Sequence, residues 1–295
     1  MQGHDLNSDT EIMSIARHIA KTLLPEPAVD ILKSMELYRN VHGKLPNLVF
    51  PKTFNEKVVH RSLFDKSPIL TQFADKFAVR DYVEDRLGPQ VLPKLYCVTD
   101  NPADIPFEKL PDQFVVKPTH GCGWIEIVRD KAALDREKLL ATCADWLSKD
   151  YYEVARERFY KKIPRRILIE ELLDDGTGQV PPDHKFMIFH GKVEMVVSVY
   201  DRFADHHAYV CDRHWKELAV KLWPKPQRKV PYVRPKHWEA LVEAAETLAR
   251  GLDFVRVDFY DTPNGIYFGE LTNTPGAGFL PFYPNSYDRY LGSLW

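Results

Sequence analysis

Cysteine is scarce in this chain and poorly spaced for chemistry. The 295 residues hold four, Cys97, Cys122, Cys143 and Cys211, and no two form a CxxC pair. That excludes a disulfide framework and a zinc cluster, and it favours a reducing, cytoplasmic setting. An excess of positive charge is lacking too. Lys and Arg number 40 against 42 Asp and Glu, for a net charge of −2. No overall basic field recruits nucleic acid or anionic lipid, so a polyanion has to be met by a local site. Long apolar runs are missing. The N-terminal MQGHDLNSDTEIMSIARHIAKTLL carries acids early and no apolar core long enough for a signal peptide or a membrane span. Ile12, Ile15, Ala16, Ile19 and Leu23 instead follow the spacing of a packed amphipathic helix, a membrane-surface helix being the alternative that its lysine-poor polar face disfavours. There is no internal repeat and no low-complexity tract.

What is present suits a core-forming globular protein, with 44% hydrophobic and 28% charged residues. The length fits two lobes, or one domain with an added segment. Residues 1 to 72 read as helical and then irregular, punctuated by Pro25, Pro27, Pro46, Pro51 and Pro68. Val79, Tyr82, Val83 and Leu87 predict a helix that Gly88-Pro89 stops. Strands are predicted over Leu95–Val98, Phe114–Lys117, Ile125–Val128 and Arg166–Leu172. Asp135 is placed to cap a helix burying Leu140, Cys143 and Leu147. Lys185–Phe189 and Val193–Tyr200 flank His190-Gly191 as a hairpin. Pro235 opens a further helix, which Gly251 closes. Strands and helices mix without alternating regularly, which predicts an α+β fold with antiparallel sheets.

The most informative segment is FVRVDFYDTPNGIYFGELTNT, residues 254–274. Pro263-Asn264-Gly265 suits a three-residue hairpin loop, which sets Thr262 against Ile266 and Asp258 against Glu270. Opposed side chains lie ~4.5–5.5 Å apart at Cβ, where like charges repel. Strand alternation gathers Arg256, Asp258, Glu270 and Thr272 on one face. Two carboxylates with an oxygen neighbour form a hard-ligand set suited to Mg²⁺. A solvated face with an Arg–Glu pair is the competing explanation. Asn273 falls on the opposite face unless a bulge intervenes.

A second signal is FVVKPTHGCG, residues 114–123. Lys117 leaves a strand just before His120, Gly121, Cys122 and Gly123. Such a loop lets backbone N–H groups approach phosphate oxygens while the lysine supplies a point charge. It is neither GxxxxGK[ST] nor a GxGxxG opening a helix. A strand-to-strand turn with an exposed lysine explains it equally well. Lys185 reads as a second phosphate lysine or a surface strand charge. Glu170 and Glu171 read as ribose acceptors or as exposed acids before a loop.

In this order, Asp75-Lys76, FVVKPTHGCG, ILIEEL, HKFMIF, RVDF and GELTNTPGAG resemble the ATP-grasp superfamily. Within it the chain resembles the TupA-like branch, associated with bacterial capsule, teichuronopeptide and other polysaccharide biosynthesis. The resemblance runs from about Pro46 to the C-terminus. It implies two lobes, 73–170 and 171–295, clasping ATP after a helical segment 1–72. It implies ligation of a carboxylate to an amine through an acylphosphate, an amino acid or other amine being joined to a uronic-acid-containing glycan or its precursor. Lys117 and Lys185, with Lys76, would hold phosphates. His120 and Gly121–Gly123 would form the cover, and Glu170, Glu171 and Leu172 the nucleotide slot. Asp258 and Glu270, with Thr272 or Asn273, would bind Mg²⁺, and Arg256 and Arg202 would stabilise transferred charge. A sugar phosphotransferase and a non-catalytic scaffold are the alternatives.

Overall fold

The computed structural model describes residues 24–200, 207–222 and 232–295. The helix expected near residues 12–23 and Arg202 lie outside the described residues.

The chain opens with helix α1 (Glu26–His42) and then α2 (Phe54–Phe64), which starts at a capping box. Thr53 accepts from the Glu56 N–H, and the Glu56 carboxylate returns the bond to the Thr53 N–H. Helices α3 (Pro68–Ala74) and α4 (Val79–Leu87) follow, and α4 stops at Gly88, whose φ of 83° is left-handed.

Strands β1 (Leu95–Thr99), β2 (Phe114–Pro118), β3 (Glu126–Val128) and β4 (Ile167–Glu170) build a four-stranded antiparallel sheet, ordered β1-β4-β2-β3. Helix α5 (Arg136–Ser148) covers one face. Phe114, Val116, Ile167 and Ile169 meet Leu139, Cys143 and Trp146 there. Asp135 caps this helix as expected, by accepting from the Lys138 N–H. Its buried face is Leu139, Cys143 and Trp146, with Leu140 and Leu147 only partly buried. The indole of Trp146 takes the position that an aliphatic side chain was expected to fill.

A short helix α6 (Tyr152–Ala155) and a 3₁₀ turn (Arg158–Lys162) lead back to β4. The second sheet holds β5 (Asp183–Phe189), β6 (Lys192–Tyr200), β7 (His207–Cys211), β8 (Phe254–Thr262) and β9 (Gly265–Thr272). Its order is β7-β6-β5-β8-β9, antiparallel throughout. Strand β7 was not expected. His207 is buried in it and stacks on Tyr200 at 5.5 Å between centroids.

Helices α4 and α7 (Trp238–Leu248) cover one face of this sheet, where Phe186, Ile188, Val255, Val257 and Phe259 point. Along β5 and β8 the other face is apolar at one end only. There Met187, Phe189 and Phe254 pack on Phe54 and Val58 of α2 and on Leu291 of α8 (Ser286–Leu294). Toward the other end of the same face, alternation along β5 and β8 presents Lys185, Asp183, Arg256 and Asp258. A face with an apolar half under helices leaves its polar half looking onto the first sheet.

Candidate active site

The β8–β9 hairpin does place Asp258 opposite Glu270, but by a different route from the one expected. Thr262 pairs with Gly265, so the loop is the two residues Pro263-Asn264. The register is then one residue out until Gly269, which is inserted as a bulge between the Phe259–Phe268 and Asp258–Glu270 pairs. A side chain at this bulge would be tight. A Cβ on Gly269 would sit 3.1 Å from both the Asp258 carbonyl oxygen and Cε2 of Tyr260.

On this face every charge has partners. Arg256 Nε donates to Asp258 Oδ1 at 2.7 Å, and Nη2 donates to Asp258 Oδ2 at 2.7 Å and to Glu270 Oε1. Lys185 lies across from Asp258 in the neighbouring strand. It donates to Asp258 Oδ2 at 2.6 Å and to Asp183 Oδ2. Thr272 Oγ1 donates to Glu270 Oε1 at 3.1 Å. Three carboxylates thus share two cations. Burial pushes the Asp258 carboxyl up to about 6, against the pull of Arg256 and Lys185. Burial also works against Glu270, but Arg256, Lys185 and Lys76 outweigh it and hold that carboxyl well below the usual range. Burial alone would lower the Lys185 ammonium, and Asp183 and Asp258 raise it instead.

Two cavities meet at this hairpin, and Gly269 borders both. The first, about 260 Å³, lies between the sheets. Val115, Lys117 and Ile127 line it from one side, and Asp183, Tyr260 and Phe268 from the other. Glu170, Glu171 and Leu172 run along its wall. Lys117 Nζ lies 2.5 Å from Glu170 Oε1, and Arg80 approaches the other oxygen of Glu170 at 3.7 Å. Glu171 is tied to Lys94, its N–H donating to the Lys94 carbonyl and its carboxylate accepting from the Lys94 N–H.

The second cavity, about 340 Å³, opens on the other side of the hairpin. Arg256, Glu270 and Thr272 stand at its polar end, with Lys76 and Cys122. Burial lowers the Lys76 ammonium, which donates to the Gly121 carbonyl. Gly121 packs so closely that a Cβ there would meet Cε3 of Trp124 at 2.6 Å. His120 borders neither cavity. It is buried, with Nε2 at 3.1 Å from the Trp146 carbonyl. Asn273 is buried as well, and its Nδ2 donates to the Leu70 carbonyl on α3. That amide nitrogen is therefore committed to packing.

The TupA-like ATPgrasp family matches residues 56–295. The chain belongs to this family. No curated protein matches it. Among solved structures, D-alanine–D-alanine ligase from Bacillus anthracis complexed with ATP is 16% identical at a TM-score of 0.42. That match covers 70% of this chain and 56% of the ligase. The ATP-grasp ligase PsnB, complexed with a phosphomimetic variant of its minimal precursor, Mg and ADP, is 14% identical at a TM-score of 0.43, over 99% of this chain and 75% of PsnB. An L-amino acid ligase from Bacillus licheniformis is 15% identical at a TM-score of 0.43, over 83% and 55%. The chain spans little more than half the length of either the B. anthracis or the B. licheniformis ligase. At these TM-scores the three likenesses bear on neither substrate nor mechanism.

Sequence reasoning missed several residues of this candidate site. Asp183 shares Lys185 with Asp258, Arg80 supports Glu170, and Glu157 lines the second cavity among Tyr151 and Tyr160. Alternation along β5 could have put Asp183 beside Lys185. Nothing local marks Glu157, which lies in the charged run RERFYKK and reads there as solvated.

Proposed function

We propose that this protein is an ATP-dependent carboxylate–amine ligase, with residues 73–170 and 171–295 as the lobes that hold the nucleotide. The observation that carries this reading is the Arg256, Asp258, Glu270 and Lys185 cluster, built around a hairpin whose Gly269 borders both cavities. One cavity then serves the nucleotide, and the other serves the groups to be joined.

Lys117, which lines the first cavity, and Lys185, bonded to the Asp183 that lines it, supply positive charge for the phosphates. Glu170–Leu172 forms the wall beside the base and ribose. Asp258 and Glu270 present carboxylate oxygens on facing strands, which fits Mg²⁺, an ion that takes one or two carboxylates and completes its shell with phosphate oxygens and water. Among the described residues no group of three or more His, Cys, Asp or Glu side chains is arranged to hold a metal unaided. A two-carboxylate site that needs the nucleotide is the form this donor set supports. Bound there, Mg²⁺ would neutralise charge on the phosphates. Arg256, already on both carboxylates, is the side chain that would stabilise the acylphosphate. Transfer of the γ-phosphoryl group gives the acid a good leaving group, and an amine then displaces phosphate. The loop at Gly121–Gly123 lies beside Lys76 and would limit water that hydrolyses the intermediate.

The family's association with surface polysaccharides points to a uronic acid as the carboxylate and an amino acid as the amine. Among the described residues no helix is long and apolar enough to cross a membrane. The four cysteines are free thiols. Both features suit a cytoplasmic enzyme drawing on ATP.

The test is Mg²⁺-dependent ADP and phosphate production over a matrix of uronic acids and amino acids. A productive pair should release both products, hydroxylamine should trap the activated acid, and Asp258→Asn or Glu270→Gln should reduce turnover ~100-fold or more. A phosphorylated sugar without phosphate release would make the protein a phosphotransferase. ATP bound but never turned over would leave a scaffold, and no ATP binding would sink the assignment.

A further inference from the structure

The second cavity has a chemical polarity of its own. Its end at Arg256 and Lys76 sets two cationic side chains beside the single carboxylate of Glu270, and suits an acid or an acylphosphate. Its walls are apolar and aromatic, from Leu37, Phe73, Val154, Phe159 and Phe279. One further acid, Glu157, lines it. Glu157 is 7% exposed, and its one hydrogen-bond partner is the Thr274 hydroxyl. Among the described residues no cation pairs with it, although Arg and Lys residues flank it in sequence. Arg156 turns away to Glu153 at 2.7 Å, and Arg158 to Asp30 at 2.9 Å. The turn that aims Glu157 inward is itself strained, because Arg156 holds a left-handed φ of 59° without being glycine.

A buried carboxylate with a single hydroxyl partner is costly unless a cation reaches it. With the cavity empty a proton can neutralise it, and a cationic ligand in the cavity would stabilise its charged form. We infer that the 340 Å³ cavity is the subsite for the amine substrate, a primary amine on a small apolar skeleton, and that Glu157 receives its ammonium group. This rests on the ligase reading above and extends it to the nucleophile. An acid in the same place would be repelled by Glu157, so the carboxylate substrate belongs at the Arg256 end.

Glu157 also has a chemical task there. An ammonium has no lone pair, so it must lose a proton before it can attack. Glu157 accepts that proton, giving a neutral amine and a neutral carboxyl. The amine nitrogen then bonds to the acyl carbon as the bond from that carbon to the phosphate oxygen breaks. The nitrogen's second proton leaves with the released phosphate. Burial raises the Glu157 carboxyl to about 7, the range in which a base both holds and releases a proton near neutral pH. The groups facing it are Thr274, Tyr151 and Tyr160, and both tyrosines also lie within electrostatic reach of Glu270 and Cys122. Burial pushes both phenols up, so neither competes for this role near neutral pH.

The test uses the full chain with ADP and Mg²⁺ and three probes of one skeleton: n-butylamine, n-butanol and butyrate. Wild type should bind butylamine at least ~10-fold more tightly than butanol or butyrate, and Glu157→Gln should remove that preference. Butyrate binding best, no butylamine binding, or equal amine binding by Glu157→Gln would each overturn the inference. ADP affinity, measured on the same samples, separates this from the ligase reading. If Glu157→Gln and wild type both bind ADP and Lys117→Ala does not, the nucleotide site stands whatever the amine result. No ADP binding by wild type would fail the ligase reading itself.

Discussion

At the scale of single residues, buried charges decide what this site can do, and Glu157 gives a prediction that needs no substrate. Its carboxyl rises from 4.5 to about 7 through burial. Well below 4.5 the side chain is protonated in both the folded and unfolded states and affects neither. Between the two values the folded protein keeps a proton that the unfolded chain has released, so stability falls as pH rises. Above about 7 the whole penalty applies, roughly 3 kcal/mol for a shift of this size. Glu157→Gln keeps the acceptor for Thr274 and removes the titration. It should melt above wild type at pH 8 and alongside it at pH 4, by thermal unfolding followed across that range. Parallel curves at all pH values would mean that the carboxylate is better solvated than its burial implies. The Lys117–Glu170 pair carries a companion prediction. Glu170→Gln frees Lys117 from its close partner, and ADP affinity should change by several-fold with little shift in melting temperature. Isothermal titration checks this directly, and an unchanged affinity would place Lys117 away from the phosphates.

At the scale of elements, the bulge at Gly269 joins the two cavities. It allows a two-residue loop to coexist with an Asp258–Glu270 pair, and its backbone forms a wall of each cavity. Gly269→Val would push a branched side chain at Asp258 and Tyr260, at a cost of ~1–3 kcal/mol. ADP binding should weaken with it, since the strained strand carries Glu270. A stability loss with full ADP affinity would show that the bulge serves packing alone. The sequence made this hairpin legible because alternation is a local property. It put Arg256, Asp258, Glu270 and Thr272 on one face. The three-residue loop was a wrong expectation that the bulge offset, since turn residues do not reveal an insertion farther along the strand. The pairing of β5 with β8, which brings Lys185 to Asp258, depends on strand order and is not written locally. Glu157 was illegible for a like reason: burial of one acid in RERFYKK is imposed by Thr274, Tyr151 and Tyr160 around it, not by its charged neighbours in sequence.

At the scale of the whole molecule, the two sheets have separate cores, and the first cavity is where both present side chains to one space. A nucleotide bound there would contact both sheets, so its stabilising effect should be shared between them. At 100 times its dissociation constant a ligand adds about 2.7 kcal/mol to the folded state, and melting temperature should rise accordingly with ADP and Mg²⁺. Hydrogen exchange can locate the effect. Added protection is expected in β2 and at Glu170–Leu173 from one sheet, and in β5 and β8 from the other, with Lys117→Ala abolishing all of it. Protection confined to one sheet would mean a ligand lying on a surface rather than in a cleft, and the division of labour between the two cavities would fall with it. Protection on both sheets would also explain why the polar half of the second sheet is left bare of helices. Its partner would then be the bound nucleotide.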